Sequence, residues 1–492
     1  MVPTERIRSV NRKEAQGSGD FVLYWMTANR RLRWNYSLDR ALEWCRELNK
    51  PLLLLEPLRI DYPWASLRMH KFVVDGMMEH AEALAGHGVA YYPYLEEQKG
   101  AASGLLEALA HRAAVVVADE FPCFFLPRMV KAAGTKVSVL MEAVDSNGLF
   151  PLAGTDRNFH RAYDFRRFLQ KHLPTHLLES PDATPLSSCP VARGATVPAE
   201  VTTRWPPLPK ERKETEELLS RIPIDQQVRP TDLVGGEIPS RSRVVEFLDH
   251  RLSRYEESRN QPEVETTSGL SPYLHFGHIS VHEVFQQLTR REDWNPSRLA
   301  DSTSGKRTGW WGMSSAAESF LDQIITWREL GYQYCAKRPD HTAYSSLPDW
   351  ARHSLAEHAG DERPYLYTLE EFDASSTHDP IWNAAQNELR ERGAIHGYLR
   401  MLWGKKILHW SRSPQQALEI MIELNNRYSL DGRNPNSYSG IFWILGRFDR
   451  AWGPERPIFG KIRYMSSANT KRKIRLDGYL RRWGTGSQRS LL

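Results

Sequence analysis

The chain has 492 residues, enough for two or three domains with sizeable cores, and its apolar (41%) and charged (25%) fractions are ordinary for a globular protein. Its four cysteines (Cys45, Cys123, Cys189 and Cys335) form no CxxC pair, and its longest aliphatic run, Leu52 to Leu55, is far too short to cross a membrane. We therefore expect a protein of the reducing cytoplasm with no disulfide framework, bound metal, signal peptide or membrane span.

The first third of the chain alternates short β-rich runs with amphipathic stretches. Helices are predicted over Leu38–Leu48, residues 67–84 and His160–Leu173. Strands that alternate with helical patterns are typical of a parallel, Rossmann-like α/β sheet. The turn after the first strand contains no GxGxxG, so the usual dinucleotide fingerprint is absent. The predicted strands are Phe21–Met26, Pro51–Leu58, Val89–Leu95, Ala114–Ala118 and Val137–Ala143.

The remainder divides into a connection and a helical region. Residues 176–236 are rich in Pro, Ser, Thr and Gly, and they predict a long linker with one short helix near Glu214–Ser220. Beyond it the pattern is helical almost throughout. We predict an α/β domain over residues 1–175, an all-α domain over 237–475 and a basic tail over 476–492. The helices are predicted at 241–257, 280–290, 314–336, 380–392, 395–411 and 414–426.

The segment from Thr266 to Gly277 is the first marked motif. Four hydroxyl residues precede a proline that suits the first turn of a helix. Hydroxyls and free N–H groups at a helix N-terminus can bind an anion such as a diphosphate. Most hydroxyl-rich turns before helices are only caps, so both interpretations stay open.

Two oppositely charged pairs interrupt apolar helical patterns. Arg328 and Glu329 stand side by side in one helix, and Arg400 in another helix is followed by Asp431 in a loop. Each pair could be a structural ion pair. The second could also set the electrostatics of a bound cofactor.

The stretch from Gly393 to Asn436 is the second marked motif. Gly393 is expected to end one helix, and Trp403 and Trp410 then stand seven residues apart. Seven residues are almost two helical turns, so both indoles lie on nearly one face, about 10 Å apart along the axis. Ser413 is expected to cap the next helix, and a polar loop from Leu430 to Asn436 follows. Indoles beside a polar loop suit a large redox-active aromatic cofactor better than a hydrolytic site.

The C-terminal region is basic. Residues 446–492 carry a net charge of about +9 in a chain whose total is +5, so the first 445 residues sum to about −4. Aromatic residues are interleaved with these cations, a pattern typical of a nucleic-acid surface. A basic end can also be only solvated, which we expect from Arg481 onward.

Four long motifs follow one another along the helical region: Thr267–Ser280, Thr377–Gln386, His396–Trp410 and Gly460–Met465. The first resembles the flavin-phosphate motif of the photolyase/cryptochrome superfamily. The other three resemble class II cyclobutane pyrimidine dimer photolyases. The resemblance spans most of residues 240–475 and, more loosely, the N-terminal domain.

The resemblance implies FAD folded into a U within the helical domain. It places Arg400 and Asp431 beside the isoalloxazine, and Asn425 at flavin N5 with Asn436 as a competitor. It implies a tryptophan relay from flavin to surface through Trp403, Trp410 and Trp382. An antenna chromophore of the 8-hydroxydeazaflavin type in the α/β domain is also implied. The phosphates and the ribityl chain would be held by Tyr255, Thr267, Ser268, Leu270 and Ser271.

The family's substrate is UV-damaged DNA with the dimer flipped out of the duplex. The resemblance implies that Glu329 hydrogen-bonds the dimer, that Met401 packs against its bases and that Trp443 forms an aromatic wall. Filling or flanking the gap left in the duplex would fall to Arg450, Lys461 and Arg463. The expected enzyme is a monomeric carbon–carbon lyase.

The chain departs from the class II pattern near the expected lesion pocket. Trp327 stands where a second arginine is usual, residues 331–335 differ, and the chain is one residue shorter around Arg447. Three alternatives stay open: a cryptochrome-like photosensor, a (6-4) photolyase and a flavin-free DNA-binding protein. Histidines at the lesion are expected for (6-4) chemistry, and His396 and His409 are not obviously placed there.

Overall fold

A computed structural model of the chain describes residues 1–188, 192 and 194–484. Cys189 and residues 485–492 of the predicted basic tail lie outside the described residues. Internal contacts divide the chain into two compact units. The first unit comprises Met1–Asp156, His172–Val245 and Gly269–Ser297, and the second comprises Arg157–Lys171, Glu246–Ser268 and the described residues from Arg298 onward.

The first unit is built on a six-stranded sheet with the order β1-β6-β5-β2-β3-β4. The five strands β2 to β6 run parallel to one another, which confirms the predicted Rossmann-like α/β class. All residues of β2 and β5 are buried, as expected for central strands covered on both faces. The strands are β1 (Ile7–Ser9), β2 (Phe21–Trp25), β3 (Leu52–Leu58), β4 (Ala90–Leu95), β5 (Ala113–Asp119) and β6 (Met141–Val144).

Two details of the sheet differ from the sequence prediction. The edge strand β1 was not predicted, and it pairs antiparallel with β6. It is three residues long and half exposed, so no hydrophobic alternation marks it. The last strand was predicted from Val137, but it begins at Met141, because residue 137 instead ends the preceding helix.

The α-helices of the N-terminal half lie between the strands in the chain and in the segments that follow β6. They are α1 (Tyr36–Leu48), α2 (Leu67–Ala83), α3 (Leu105–Ala110), α4 (Leu126–Lys136), α5 (Ala162–His172), α6 (Pro185–Ser188), α7 (Ala199–Arg204), α8 (Arg212–Arg221), α9 (Glu237–His250), α10 (Tyr255–Ser258), α11 (Ser271–Phe276) and α12 (Val281–Arg291).

The predicted linker contains more order than its composition indicates. The helix expected near 214–220 is present as α8, and α6 and α7 precede it. Leu218 and Ile222 pack with Val73 and Met77 of α2 in one apolar cluster. Only a few apolar residues hold this segment in the first unit. Its composition, rich in Pro, Ser, Thr and Gly, therefore predicted a loose connection.

The second unit is helical. The long predicted helix over 314–336 is present as α13 and α14, joined by six residues of π-helix, Asp322–Trp327. No helix within the described ranges is long and apolar enough to cross a bilayer. The remaining helices are α13 (Ser315–Leu321), α14 (Arg328–Lys337), α15 (Asp349–Glu357), α16 (Leu369–Asp373), α17 (Pro380–Arg392), α18 (Gly397–Trp410), α19 (Pro414–Tyr428), α20 (Pro435–Ile444), α21 (Ser467–Lys473) and α22 (Asp477–Trp483).

Capping residues set the boundaries near the second marked motif. Gly393 ends α17 with φ 72°, and the Ser413 side chain accepts a bond from the Gln416 N–H at the start of α19, as predicted. The predicted polar loop ends earlier than expected. Asn434 caps α20 by accepting from the N–H of Asn436, so Asn436 lies in a helix and not in the loop.

Candidate functional site

Three tryptophans form a connected, buried group in the second unit. The rings of Trp382, Trp403 and Trp410 are each 1% exposed or less. The indole N–H of Trp382 donates to the backbone oxygen of Trp403 at 3.0 Å, and the rings of Trp382 and Trp410 lie 6.2 Å apart between centroids. These contacts put Trp382 between the other two. Trp382, which was predicted to come last and at the surface, is buried and contacts both other tryptophans, and the order of electron transfer stays a prediction.

Further rings connect this group with solvent. Trp410 lies 5.6 Å from Tyr367 and 4.9 Å from His378 between ring centroids. His378 in turn stacks at 3.8 Å on Tyr365, which is 47% exposed. Sequence reasoning did not find these residues, since the segment before α17 has no periodic pattern. The arrangement is a continuous path of aromatic rings from the interior of the helical unit to its surface.

The expected pair between α18 and the following loop is formed. Arg400 Nη2 lies 3.3 Å from Asp431 Oδ1, and both side chains are mostly buried. The Ser429 hydroxyl also donates to Asp431 Oδ1, at 2.5 Å. Arg400 Nε is buried and has no hydrogen-bond partner among the described residues. The pair therefore has a fixed carboxylate and a guanidinium that retains an unused donor.

The two candidate asparagines differ in their surroundings. Asn425 in α19 is 2% exposed, and its amide donates to the Ser437 hydroxyl at 2.7 Å and to Asn426 Oδ1 at 3.3 Å. Asn436 is exposed on the first turn of α20. Asn425 is thus held in one orientation, whereas the side chain of Asn436 faces open space.

Glu329 stands at the start of α14 and is 2% exposed. The π-helix directly before it is a rare conformation that often marks functional positions. Two residues further, a Cβ added to Gly331 would lie 2.7 Å from Ser439 Oγ, so glycine permits α20 to approach α14 closely. The Asn434 side-chain amide donates a hydrogen bond to the Tyr332 hydroxyl at 3.1 Å, and this bond joins the N-cap of α20 to α14. Glu329 is therefore carried by a closely packed scaffold.

Glycines of α18 and α20 differ in the space around them. These helices are in tight contact at Gly404, where an added Cβ would meet Ile444 Cδ1 at 2.0 Å. At Gly397 and Gly440 an added Cβ would meet no heavy atom of the described residues within 4 Å. Arg400 lies one turn from the first of these glycines. The unused buried donor of Arg400 would suit a planar ring system with polar rim atoms.

The phosphate motif is divided between the two units. In the second unit, the Tyr255 ring is 7% exposed, Thr267 is half-buried, and the buried Thr266 hydroxyl has no partner among the described residues. In the first unit, Ser271 begins α11, whose first turn contains proline as predicted, and Leu270 is buried. The hydroxyl of Thr266 is a free hydrogen-bonding group that sequence reasoning did not single out as a ligand.

The expected lesion wall belongs to an alternating row of cations and aromatic rings. Lys405 Nζ lies 5.9 Å from the Trp443 ring centroid, and Arg463 Cζ lies 5.5 Å from the same centroid. Arg463 is also 4.9 Å from Trp452, and Arg450 is 4.5 Å from Trp452. These distances are within the range of cation–π attraction. We call this row the cation–aromatic ladder, and it leads from the buried Lys405 to the exposed Arg450 and Arg463.

Lys405 is the ladder residue that sequence reasoning missed. It is 0% exposed and donates to the Ile444 backbone oxygen at 2.5 Å. Burial lowers its pKa from 10.5 to about 7, although the Asp449 carboxylate opposes that change. The resembling motif around Trp403 contains Lys405, but periodicity does not show that it lies beneath Trp443, because the two residues are on different helices.

The remaining candidates occupy the periphery. Lys461 is about half exposed and lies 3.0 Å from Glu455, and Met401 is half-buried on α18.

Burial lowers the pKa of His396 and of His409 to about 4. Both imidazoles are therefore neutral at physiological pH and are poor general acids.

Comparisons with known proteins find relatives along nearly the whole chain. No family model matches the chain. The chain is 33% identical to the deoxyribodipyrimidine photo-lyase of Methanothermobacter thermautotrophicus over 98% of both chains, and 32% identical to that of Arabidopsis thaliana over 93% of this chain and 88% of the relative. A relative of the same name from Potorous tridactylus is 30% identical over 96% and 82% of the two chains.

Solved structures share the fold at low sequence identity. A class III photolyase from Agrobacterium tumefaciens has a TM-score of 0.63 and 17% identity, over 96% of this chain and 87% of that one. A cryptochrome from Synechocystis sp. PCC6803 has a TM-score of 0.63 and 15% identity, over 94% and 88%. The sequence relatives extend over nearly the whole chain, and the fold and the site geometry are consistent with them. The chain belongs to the deoxyribodipyrimidine photo-lyase family, which implies a flavin cofactor and binding of UV-damaged DNA.

Proposed function

We infer that this chain is a light-dependent DNA repair enzyme that splits cyclobutane pyrimidine dimers. The observation that supports this most is its identity of 30–33% to proteins named deoxyribodipyrimidine photo-lyase over nearly its full length. The cofactor that this activity requires would lie beside Arg400, whose buried Nε has no partner among the described residues. We assign the chain to the class II branch on its three resembling motifs.

The proposed cofactor is FAD, held by the helical unit. When bound in its reduced form, a flavin absorbs near-UV or blue light and supplies the electron that splits the cyclobutane ring. Arg400 and Asp431 would stabilise charge at the ring, because a buried guanidinium favours a nearby anion. Asn425 would orient the ring edge with an amide that neighbouring residues already fix. Tyr255, Thr267, Ser268, Leu270 and Ser271 would hold the phosphates and the ribityl chain.

The three tryptophans would conduct electrons to the cofactor before repair. Trp382 contacts Trp403 on one side and Trp410 on the other, so each step crosses a short distance. The rings from Trp410 to Tyr365 extend the path to solvent. This route would restore the reduced state of the protein and is separate from the repair of the dimer.

The dimer would enter the helical unit after extrusion from the duplex, at a cost that a weakened lesion pair reduces. Glu329 would hydrogen-bond it, Met401 would contact its bases and Trp443 would stack against it. The cation–aromatic ladder connects that wall to Arg450 and Arg463, which could contact DNA phosphates. Lys461 would add a third cation at the same surface.

Several finer assignments remain proposals. We propose that an 8-hydroxydeazaflavin-type antenna binds in the α/β domain, that the protein is a monomer and that it acts in the cytoplasm. The domain boundaries predicted from sequence stay a prediction.

A repair assay with two lesions tests the proposed function. Chemically reduced protein is illuminated with one oligonucleotide that contains a thymine dimer and another that contains a (6-4) product, and matched samples stay in the dark. We expect restored thymine from the first lesion only, and only in the light. Repair of the (6-4) product would identify the alternative enzyme, whereas flavin binding without any repair would indicate a photosensor.

A further inference from the structure

A cavity in the helical unit is lined by residues that are not assigned to flavin or lesion. It encloses about 470 Å³, within the range of roughly 300–1,000 Å³ that is usual for small-molecule sites. None of its lining residues belongs to the proposed flavin or lesion set. Its principal walls are Tyr334, Arg338, Trp350, Arg352, Arg447 and Phe448.

Arg447 is the unusual member of this wall. It is 2% exposed, and it has no carboxylate within 4 Å among the residues that the structure describes. Its Nη2 donates to the His341 backbone oxygen at 2.8 Å and to the Ser346 hydroxyl at 2.5 Å. Its Nε and Nη1 are buried and make no hydrogen bond. An arginine is almost never fully buried unless it is paired.

Aromatic contacts hold this guanidinium in place without neutralising it. Arg447 Cζ lies 3.7 Å from the Phe442 ring centroid and 4.4 Å from that of Tyr334. The other two arginines of the cavity have partners: Arg338 with Asp340 at 2.7 Å, and Arg352 with Asp349 at 2.5 Å. Arg447 therefore has no direct ion-pair partner among the described residues, the Asp340 carboxylate acts on it only at longer range, and its guanidinium is fixed in orientation.

We propose that this cavity is an anion site for a phosphate-bearing ligand, with Arg447 as the buried cation. Arginine matches the geometry of phosphate, and the half-buried Trp350 ring at the rim can stack on a base. The shared chemistry is that of a nucleotide, either free or within a DNA strand. The DNA source rests on the proposed function, and the free source does not.

The binding test uses the holoprotein with its own flavin, in phosphate-free buffer. Inorganic phosphate, AMP and undamaged single-stranded DNA are titrated separately into wild type, Arg447→Met and Arg352→Gln. Arg456→Gln, an exposed arginine outside the cavity, is the matched control. Calorimetry measures the small ligands, and affinity against salt concentration measures the DNA.

A free ligand predicts that phosphate or AMP binds to wild type and binds about 10-fold or more weakly to both cavity variants, as expected when a charge-assisted bond is lost. If the ligand is a phosphate of a DNA strand, phosphate and AMP are expected not to bind. The slope of log affinity for DNA against log salt concentration is then expected to fall by about 0.7 in the cavity variants and not in the control. If both cavity variants equal the control in every titration, the proposal is wrong. Should Arg447→Met fail to fold, Arg447→Lys takes its place by the same criteria, because lysine keeps the charge but has no planar fork to match phosphate.

The repair assay separates this inference from the proposed function. Neither cavity arginine is assigned to flavin or lesion, so Arg352→Gln is expected to restore thymine in the light even where it loses the cavity ligand. Loss of cavity binding with repair retained supports a separate site. Normal cavity binding without repair in any sample would reject the enzyme assignment and leave the anion site standing.

Discussion

Replacement of Lys405 with methionine tests whether the ladder begins at a buried lysine. The side chain is fully enclosed, and its ammonium has one backbone oxygen and the Trp443 ring as neighbours. Burial lowers its pKa from 10.5 to about 7. At about 1.36 kcal/mol for each pKa unit, the charged form is destabilised in the folded protein by about 5 kcal/mol. Methionine has a similar length and no charge.

The effect depends on pH with a defined sign. Below pH 7 the lysine is charged in both states, so the folded protein bears the full penalty. Between pH 7 and 10.5 only the unfolded chain holds the proton, and the free energy of unfolding rises with pH by about 1.4 kcal/mol per unit. Methionine abolishes this dependence. The bond lost at the Ile444 oxygen costs about 1–3 kcal/mol at every pH and does not alter the slope.

Urea unfolding at pH 7.5 and 9.5 measures the difference between the Lys405→Met variant and wild type. We expect the variant's advantage to shrink by about 2.7 kcal/mol between these two values. Lys471→Met, at an exposed position of α21, is the matched control. A difference that does not change with pH would refute the lowered pKa, and with it the burial of Lys405 beneath Trp443.

Three further variants test the relay and the lesion surface. Trp382→Phe should abolish photoreduction of oxidised flavin and leave repair intact after chemical reduction, because Trp382 contacts both other tryptophans; unchanged photoreduction would remove Trp382 from the path. Trp443→Ala should weaken binding of a dimer-containing duplex by about 5- to 150-fold, the range for loss of one stacked base, and unaltered affinity would exclude it as the wall. Arg463→Ala should lower the salt slope of duplex binding by about 0.9, and an unaltered slope would mean that Arg463 contacts no phosphate.

Local signals made parts of the fold predictable from the sequence. Gly393 and Ser413 bound α17 and α19 as expected, because their capping chemistry involves only neighbouring residues. The buried strands were found from their apolar runs. By contrast, β1 is short and half exposed, and its pairing with β6 depends on a residue far along the chain, so no local pattern marks it.

The candidate site was predictable in its members and less so in its arrangement. The motifs placed Arg400 with Asp431, and the ion pair is present. Helical spacing relates Trp403 to Trp410, but it could not show that Trp382 from another helix contacts both of them. The ladder joins residues from α18, α20 and the C-terminal loops, and no periodicity connects side chains that are so distant in sequence.

The flavin content of purified protein tests the central claim most directly. Wild type is expected to be yellow or blue with about one flavin per chain, and Gly440→Leu, whose side chain would enter the open space at this position of α20, is expected to lose flavin clearly. Gly360→Ala, at a glycine with open space outside the site, is the control for glycine replacement. A colourless wild type, or a folded Gly440→Leu variant with unchanged flavin content, would contradict the account.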